Sequence, residues 1–134
     1  MECFTTRLAR ETRLIESLRA LVRRYVGTDP VAADAAMVAL GQHIRRQIQL
    51  EEHALFPAIE ERLGDACFEP TARMRREHRV ILELLGGIER GLAAGHLNAV
   101  AGDLSELTAA LRAHLAEEQR VIGPLILESD VALS

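Results

Sequence analysis

The chain has 134 residues, of which 49% are hydrophobic and 27% charged, a balance typical of one compact domain with its own core. Its net charge of −4 argues against nucleic acid as the main partner, and no apolar run is long enough to span a bilayer. All basic residues are arginine, which suggests a bacterial gene of high GC content. Charged residues interrupt the N-terminus where a signal peptide would be apolar, so we expect a cytoplasmic protein with reduced cysteines.

Apolar residues recur at helical spacing from one end of the chain to the other. In chain order, the pattern predicts a helix over 5–26, a turn at Gly27 to Pro30, and a second helix ending at residue 63 with a kink at Pro57.

The second half of the chain begins with a predicted loop through Cys67 and Phe68. Pro70 then opens a helix over 71–94, and a fourth helix follows over 98–127. Connections this short favour antiparallel neighbours, so we predict an all-α, up-down-up-down four-helix bundle that forms a single domain over 1–134.

The two halves of the chain repeat each other at an offset of about 66 residues. The repeated positions are Glu11, Arg13, Ile15, Glu51, Pro57 and Ile59, which recur as Glu77, Arg79, Ile81, Glu118, Pro124 and Ile126. The repeat fails at two positions, where the first half has Thr12 and Gln47 and the second half has His78 and His114.

The residues that break or keep this repeat also suggest a metal site. His114 and Glu118 are four residues apart and therefore share one helix face. Glu51 occupies the equivalent of Glu118, and His78 lies on a face marked by Ile81 and Leu85 as buried. A buried glutamate is costly unless it is paired or binds a metal, so these four residues are candidate ligands of one cation.

This pattern of Glu-His and His-x-x-x-Glu segments, with Leu-Phe-Pro after the first glutamate, resembles the hemerythrin-like (HHE cation-binding) family from about Arg10 to Ile126. The resemblance implies a four-helix bundle with a non-haem di-iron centre. It also implies that Glu51 and Glu118 bridge the metals and that His78 and His114 are terminal ligands of one of them.

The two substituted positions, Thr12 and Gln47, both belong to the other metal. We therefore expect one ion, iron first, with manganese or zinc as alternatives suited to the same ligands. Glu16 and His43 lie one helical turn from the substituted positions and are predicted to lie at the same level. They are interpreted either as an ion pair or as a displaced second site that would hold a second ion.

Three functions remain open from the sequence. The first is a sensor or carrier that binds oxygen, nitric oxide or iron. The second is a non-haem metalloenzyme that uses the vacated side at Thr12 and Gln47 as a substrate pocket. The third is a metal-free bundle for protein interaction or homo-oligomerisation. A small diatomic ligand or a small-molecule substrate is the expected partner, without nucleic acid or membrane.

Overall fold

The computed structural model describes residues 4–129, and that part of the chain folds into α-helices and two π-helical turns without a β-strand. The elements are α1 (Phe4–Tyr25), α2 (Pro30–Leu50), a π turn (Glu51–Leu55), α3 (Phe56–Leu63), α4 (Asp65–Ala94), α5 (Leu97–Glu117), a second π turn (Glu118–Ile122) and α6 (Gly123–Ser129). Because α3 continues α2 and α6 continues α5, these elements form four long rods.

The four rods pack as a closed bundle. Helix α1 packs against α2 and α5, and α4 packs against the same two helices. Chain order and short turns make neighbouring rods antiparallel, so the predicted up-down-up-down four-helix bundle is confirmed. None of the helices within residues 4–129 combines the length and the apolar character that crossing a bilayer requires.

Two of the turns between helices form at the residues that the sequence predicted for them. The Asp29 carboxylate caps α2 by accepting from the Ala32 amide at 3.1 Å, and Pro30 takes the first helical position. Gly95 ends α4 with φ of 74°, in the left-handed region that glycine adopts without strain. These two turns connect α1 to α2 and α4 to α5, which fixes the antiparallel pairs.

The kink predicted at Pro57 in the second rod takes the form of a π-helical turn, and the fourth rod has a second such turn before Pro124. The Phe56 amide bonds to the Glu51 carbonyl, and the Gly123 amide bonds to the Glu118 carbonyl, five residues back in each case. The next residue in each rod is proline, which has no amide to offer the helix. Each π turn therefore begins at one of the two candidate glutamate ligands, and such turns are frequent at functional sites.

The predicted loop through Cys67 and Phe68 is wrong. Helix α4 begins at Asp65, and Pro70 lies inside it, so Gly64 alone separates α3 from α4. Cys67 is fully buried with a free thiol, and this burial favours a helix across a residue that would otherwise break one. The other cysteine, Cys3, lies outside the described residues.

The core divides into two apolar clusters along the bundle axis. The larger cluster lies towards the α1–α2 and α4–α5 turns and includes Val22, Met37, Leu40, Ile44, Ile48, Ile81, Leu85, Leu107 and Leu111. The smaller one consists of Phe56, Ile59, Cys67, Met74, Ile122 and Ile126. On the second, third and fourth rods, the buried polar residues Glu51, His78, His114 and Glu118 lie between these two clusters.

Candidate metal centre

Three candidate ligands from three different rods meet between the two core clusters. One ligand atom each of Glu51, His78 and His114 lies within 4.8 Å of the others. The side chains come from the first π turn, from α4 and from α5, and their residues are only 3%, 0% and 4% exposed. The structure thus assembles imidazole and carboxylate donors at one buried point, as the sequence pattern led us to expect.

Two further glutamates hold the histidine rings in orientation. His78 Nδ1 lies 2.5 Å from a Glu52 carboxylate oxygen, and His114 Nδ1 lies 2.9 Å from a Glu77 oxygen. Because a carboxylate accepts at each Nδ1, the Nδ1 atoms carry the protons and donate them outward. Both Nε2 atoms therefore face the centre, which is the arrangement that carboxylates impose on metal-binding histidines.

The inward-facing atoms are too close to one another without a cation between them. His78 Nε2 lies 3.1 Å from His114 Nε2 and 3.1 Å from Glu51 Oε1. With both Nδ1 atoms protonated, neutral rings would direct two nitrogen lone pairs and a carboxylate oxygen at each other. Either a metal ion or an additional proton relieves this repulsion.

The pKa values of the two histidines reflect this arrangement. Burial lowers the pKa of His78, but hydrogen bonds to Glu51 and Glu52 and their charges outweigh it, so the net pKa is raised. Burial is the main cause of the lowered pKa of His114, although the Glu51 charge opposes it. In the metal-free protein, the proton that takes the place of a cation therefore belongs on His78.

Glu118 supplies a second carboxylate to the same layer. It is 1% exposed, and its Oε1 atom has no hydrogen-bond partner; Glu51 Oε2 is also buried without one. Leaving a buried carboxylate oxygen unpaired costs about 1–3 kcal/mol. The donors of Glu51, His78 and His114 fit a first-row divalent cation, whereas Glu118 is not part of that group of three and borders it across a small cavity.

An aromatic ring packs against the centre from the α3 side. The Phe56 ring stacks on the His78 ring, with centroids 5.8 Å apart and an interplanar angle of 12°. The Arg75 guanidinium lies over the same Phe56 ring, 5.4 Å from its centroid. The phenylalanine of the Leu-Phe-Pro segment thereby helps to fix the orientation of one candidate ligand.

Thr12 and Gln47, the two substituted positions, line different cavities. The Thr12 hydroxyl donates to the Leu8 carbonyl of its own helix at 2.7 Å, and Thr12 lines a surface groove with Leu115 and Gln119. Gln47 instead lines an internal cavity next to the histidine–glutamate cluster. Among the described residues, the structure therefore shows no single substrate pocket lined by both Thr12 and Gln47.

The cavity beside Gln47 is small and mostly apolar. Its volume is about 20 Å³, which is enough for one water-sized molecule. The polar members of its wall are Gln47, Glu51, His114 and Glu118, and the apolar members include Ile15, Ile44, Ile81 and Leu111. One side of the candidate metal centre thus opens onto a space that only a very small ligand could enter.

Glu16 and His43 do not meet. The Glu16 carboxylate bonds to Arg19 at 2.6 Å and to Arg112 at 3.2 Å. His43 instead forms a short hydrogen bond with Glu11, and both of these side chains are mostly buried. Since Glu16 points towards α5 and His43 towards α1, the predicted Glu16–His43 ion pair is wrong, and the structure gives the two residues no common metal position.

A four-helix bundle with a buried histidine–carboxylate cluster at its centre defines a class of metal-binding domains. Residues 8–126 match the hemerythrin HHE cation-binding domain, and the chain belongs to that family. Comparisons with curated proteins and with solved structures found no match. Membership of a cation-binding family implies a metal cofactor, and the Glu51, His78 and His114 cluster is a site that could hold it.

Sequence reasoning did not identify the orienting role of Glu52 and Glu77. Glu77 was visible as a repeated position, but its partner His114 lies on another helix, so the contact depends on the packing of α4 against α5. Glu52 follows Glu51 directly and would point elsewhere on a straight helix. The sequence signal for this role is that each of these glutamates stands next to a candidate ligand, Glu52 beside Glu51 and Glu77 beside His78.

Proposed function

We propose that this chain is a metal-binding sensor or carrier with one non-haem metal ion, iron first, held by His78, His114, Glu51 and Glu118. The observation that carries the proposal is the convergence of donor atoms from three rods, two of them histidine nitrogens oriented by Glu52 and Glu77. The unpaired buried oxygens of Glu51 and Glu118 support it, because a cation would satisfy both.

A single ion follows from the state of the other half of the bundle. Thr12 is hydrogen-bonded within its own helix, and His43 is engaged by Glu11. Among the described residues, the cluster of Glu51, His78 and His114 is the one group of three such donors close enough to share an ion. The described residues of the first half therefore give no support to a second metal.

The small cavity favours a diatomic ligand over a larger substrate. A ferrous ion at the cluster would supply an open coordination position for oxygen or nitric oxide. Ile44 and Ile81 keep the space beside it apolar, while the Gln47 amide, which makes no hydrogen bond of its own, can donate to a bound ligand. A cavity of about 20 Å³ is too small for an organic substrate, so the metalloenzyme alternative gains no support here.

The metal-free alternative accounts for only part of the geometry. Hydrogen bonds do connect His78 to Glu51 and to His114, as a metal-free core would require. They leave Glu51 Oε2 and Glu118 Oε1 without a partner. A bundle kept only for protein interaction would gain stability by replacing these carboxylates with apolar residues.

Elemental analysis of the purified protein tests the proposed site. Protein expressed with iron is expected to hold about one ion per chain, and His114→Ala should lose most of it, because removal of one ligand weakens binding at least about tenfold. His53→Ala is the matched control, since His53 lies two residues from Glu51 but is exposed. Circular dichroism verifies that both variants remain helical.

Two kinds of result from the elemental analysis would contradict the proposal. Metal content well below one ion per chain, or equal content in His114→Ala and His53→Ala, would overturn the proposed site. Two ions per chain would overturn the mononuclear part of the proposal and return attention to the first half of the bundle.

Nitric oxide titration of the ferrous protein tests the proposed ligand. Gln47→Leu keeps the side-chain volume but removes the donor, so nitric oxide should dissociate about threefold to tenfold faster, the effect of one neutral hydrogen bond. Gln49→Leu, at an exposed position, should leave the rate unchanged. Absence of any spectral change on adding nitric oxide to iron-loaded protein would overturn the diatomic ligand while leaving the metal site intact.

A further inference from the structure

Three arginines line a surface groove between α1 and α5, and none of them is a candidate metal ligand. The groove has a volume of about 290 Å³, at the lower end of the range of small-molecule sites. We call it the arginine groove, and it is lined by Arg19, Arg23, Ser105, Thr108, Ala109 and Arg112. The chain as a whole is acidic, so this is a local reversal of its charge.

The positive charge of the groove is only partly neutralised. Glu16 is shared between Arg19 and Arg112, with the distances given above, and the Arg19 guanidinium is the main cause of its lowered pKa. Arg23 has no hydrogen bond or ion pair with any described residue. Three guanidinium charges therefore face one carboxylate, and an excess of two positive charges remains.

Arg19 also lacks an acceptor on the groove side. Its side chain is only 17% exposed, and its Nε atom is buried without a hydrogen-bond partner. This buried N–H has no protein acceptor among the described residues. An anionic ligand with several oxygens could approach both this region and the free Arg23.

We propose that the arginine groove binds a phosphate dianion, either free or as a small phosphomonoester. The excess of two positive charges matches the charge of a phosphate group near neutral pH. Guanidinium groups hold phosphate oxygens through paired hydrogen bonds, whereas a single carboxylate ligand would leave one charge unmatched. The lining contains no aromatic ring to stack on a nucleobase.

Ser105 and Thr108 take a secondary part in this site. Their hydroxyls donate to the Ala101 and Leu104 carbonyls of α5, at 3.3 and 2.7 Å. They therefore provide a polar wall without directed donors, and the arginines carry the recognition. Arg23 is the residue to test, because it is exposed and unpaired, and its replacement breaks no contact within the fold.

The test is a set of nuclear magnetic resonance titrations at constant ionic strength. Inorganic phosphate and glycerol phosphate are each added to the full-length protein, and amide shifts are followed along α1 and α5. Saturable shifts are expected at the residues of the groove. Arg23→Gln should weaken binding by about tenfold, the effect of one charge-assisted hydrogen bond.

Arg24→Gln is the matched control. Arg24 is the next residue along α1, but it lies over the Tyr25 ring at 5.5 Å and does not line the groove. Phosphate affinity should therefore be unchanged in this variant. Tighter binding of glycerol phosphate than of inorganic phosphate would identify the phosphomonoester as the ligand, and equal binding would identify the free anion.

Three results would overturn the proposal: shifts that never saturate, equal weakening in Arg23→Gln and Arg24→Gln, or equal competition by chloride. Shifts confined to the neighbourhood of His114 would instead place the phosphate at the metal centre and would also overturn it. Because Arg112 lies only two residues from His114 on α5, the two regions are distinguished by the shifts of Arg19 and Arg23 on α1, and Arg23 lies about 16 Å along that helix from Thr12.

Discussion

Replacement of Glu118 by glutamine should stabilise the metal-free protein and reduce the further stabilisation that bound metal provides. Glu118 is buried, and its Oε1 atom has no partner. A buried unpaired oxygen of this kind costs about 1–3 kcal/mol and more when it is charged, and a glutamine of the same shape keeps a buried polar group but removes the charge. For a chain of this length each kcal/mol shifts the melting temperature by about 4 °C, so Glu118→Gln should raise the Tm of chelator-treated protein by about 4–12 °C.

The rise in Tm that metal binding causes should be smaller in Glu118→Gln than in the unmodified protein. A metal at about 100 times its Kd stabilises the folded state by about 2.7 kcal/mol, which corresponds to a rise in Tm of about 10 °C. If Glu118 is a ligand, its loss weakens binding at least about tenfold. The metal-induced rise in Glu118→Gln should then be about 5 °C or less at the same metal concentration.

Calorimetry with and without added metal measures both effects in one pair of scans. The control is Glu117→Gln, because Glu117 is the adjacent residue and forms ion pairs with Arg73 and Arg120 at the surface. That variant should change Tm little and should keep the full metal-induced rise. An unchanged metal-induced rise in Glu118→Gln would refute the role of Glu118 as a ligand, and a lower Tm in the chelated form would refute the cost assigned to its unpaired oxygen.

Three further predictions concern the surroundings of the centre and the turns. The raised pKa of His78 stabilises the metal-free fold below about pH 6.5, and this stabilisation is lost at higher pH, whereas the lowered pKa of His114 reduces stability below about pH 6.5. The free energy of unfolding, measured with urea from pH 5 to 8.5, should therefore have a maximum within this range. A monotonic profile would contradict the prediction. Glu52→Gln keeps an acceptor for His78 but removes the charge, and competition with a chelator should show about tenfold weaker metal binding, whereas unchanged affinity would exclude this role. Gly95→Ala should lower the free energy of unfolding by about 1 kcal/mol because of its positive φ, while Gly102→Ala inside α5 should raise it, and the same sign for both would contradict the reasoning.

The fold was predictable because local signals and packing agree over most of the chain. The periodicity of apolar residues predicted the four rods, and Asp29 and Gly95 indicated two of the turns. The prediction failed between residues 64 and 70, where local chemistry and burial disagree. Pro70 is typical of a helix start, but helix α4 already begins at Asp65, because the buried Cys67 packs into the smaller core cluster.

The centre was predictable in its residues but not in its contacts. Repetition and spacing pointed to Glu51, His78 and His114, which the structure does bring together. The level of His43 along the bundle was estimated from rise per residue alone, and this does not specify which neighbouring helix a side chain faces. His43 therefore meets Glu11, one of the conserved positions of the internal repeat, and not Glu16.

The contact between Glu11 and His43 changes the interpretation of the half that lacks metal ligands. In the intact half, Glu77 accepts from His114 and connects α4 to α5. Glu11 is the repeat equivalent of Glu77, and it connects α1 to α2 through His43, one helical turn before Gln47. The carboxylate–imidazole link between paired helices is thus present in both halves, whereas an imidazole that faces the centre is present in only one.

This arrangement separates two roles that a metal-ligating histidine combines, namely joining two helices and binding a metal. The first half keeps the link between its helices through His43, while Gln47, at the position of the missing ligand, borders the small cavity. In the proposed mononuclear site, a single metal would therefore have one open side, bordered by Gln47, as the proposed binding of a diatomic ligand requires.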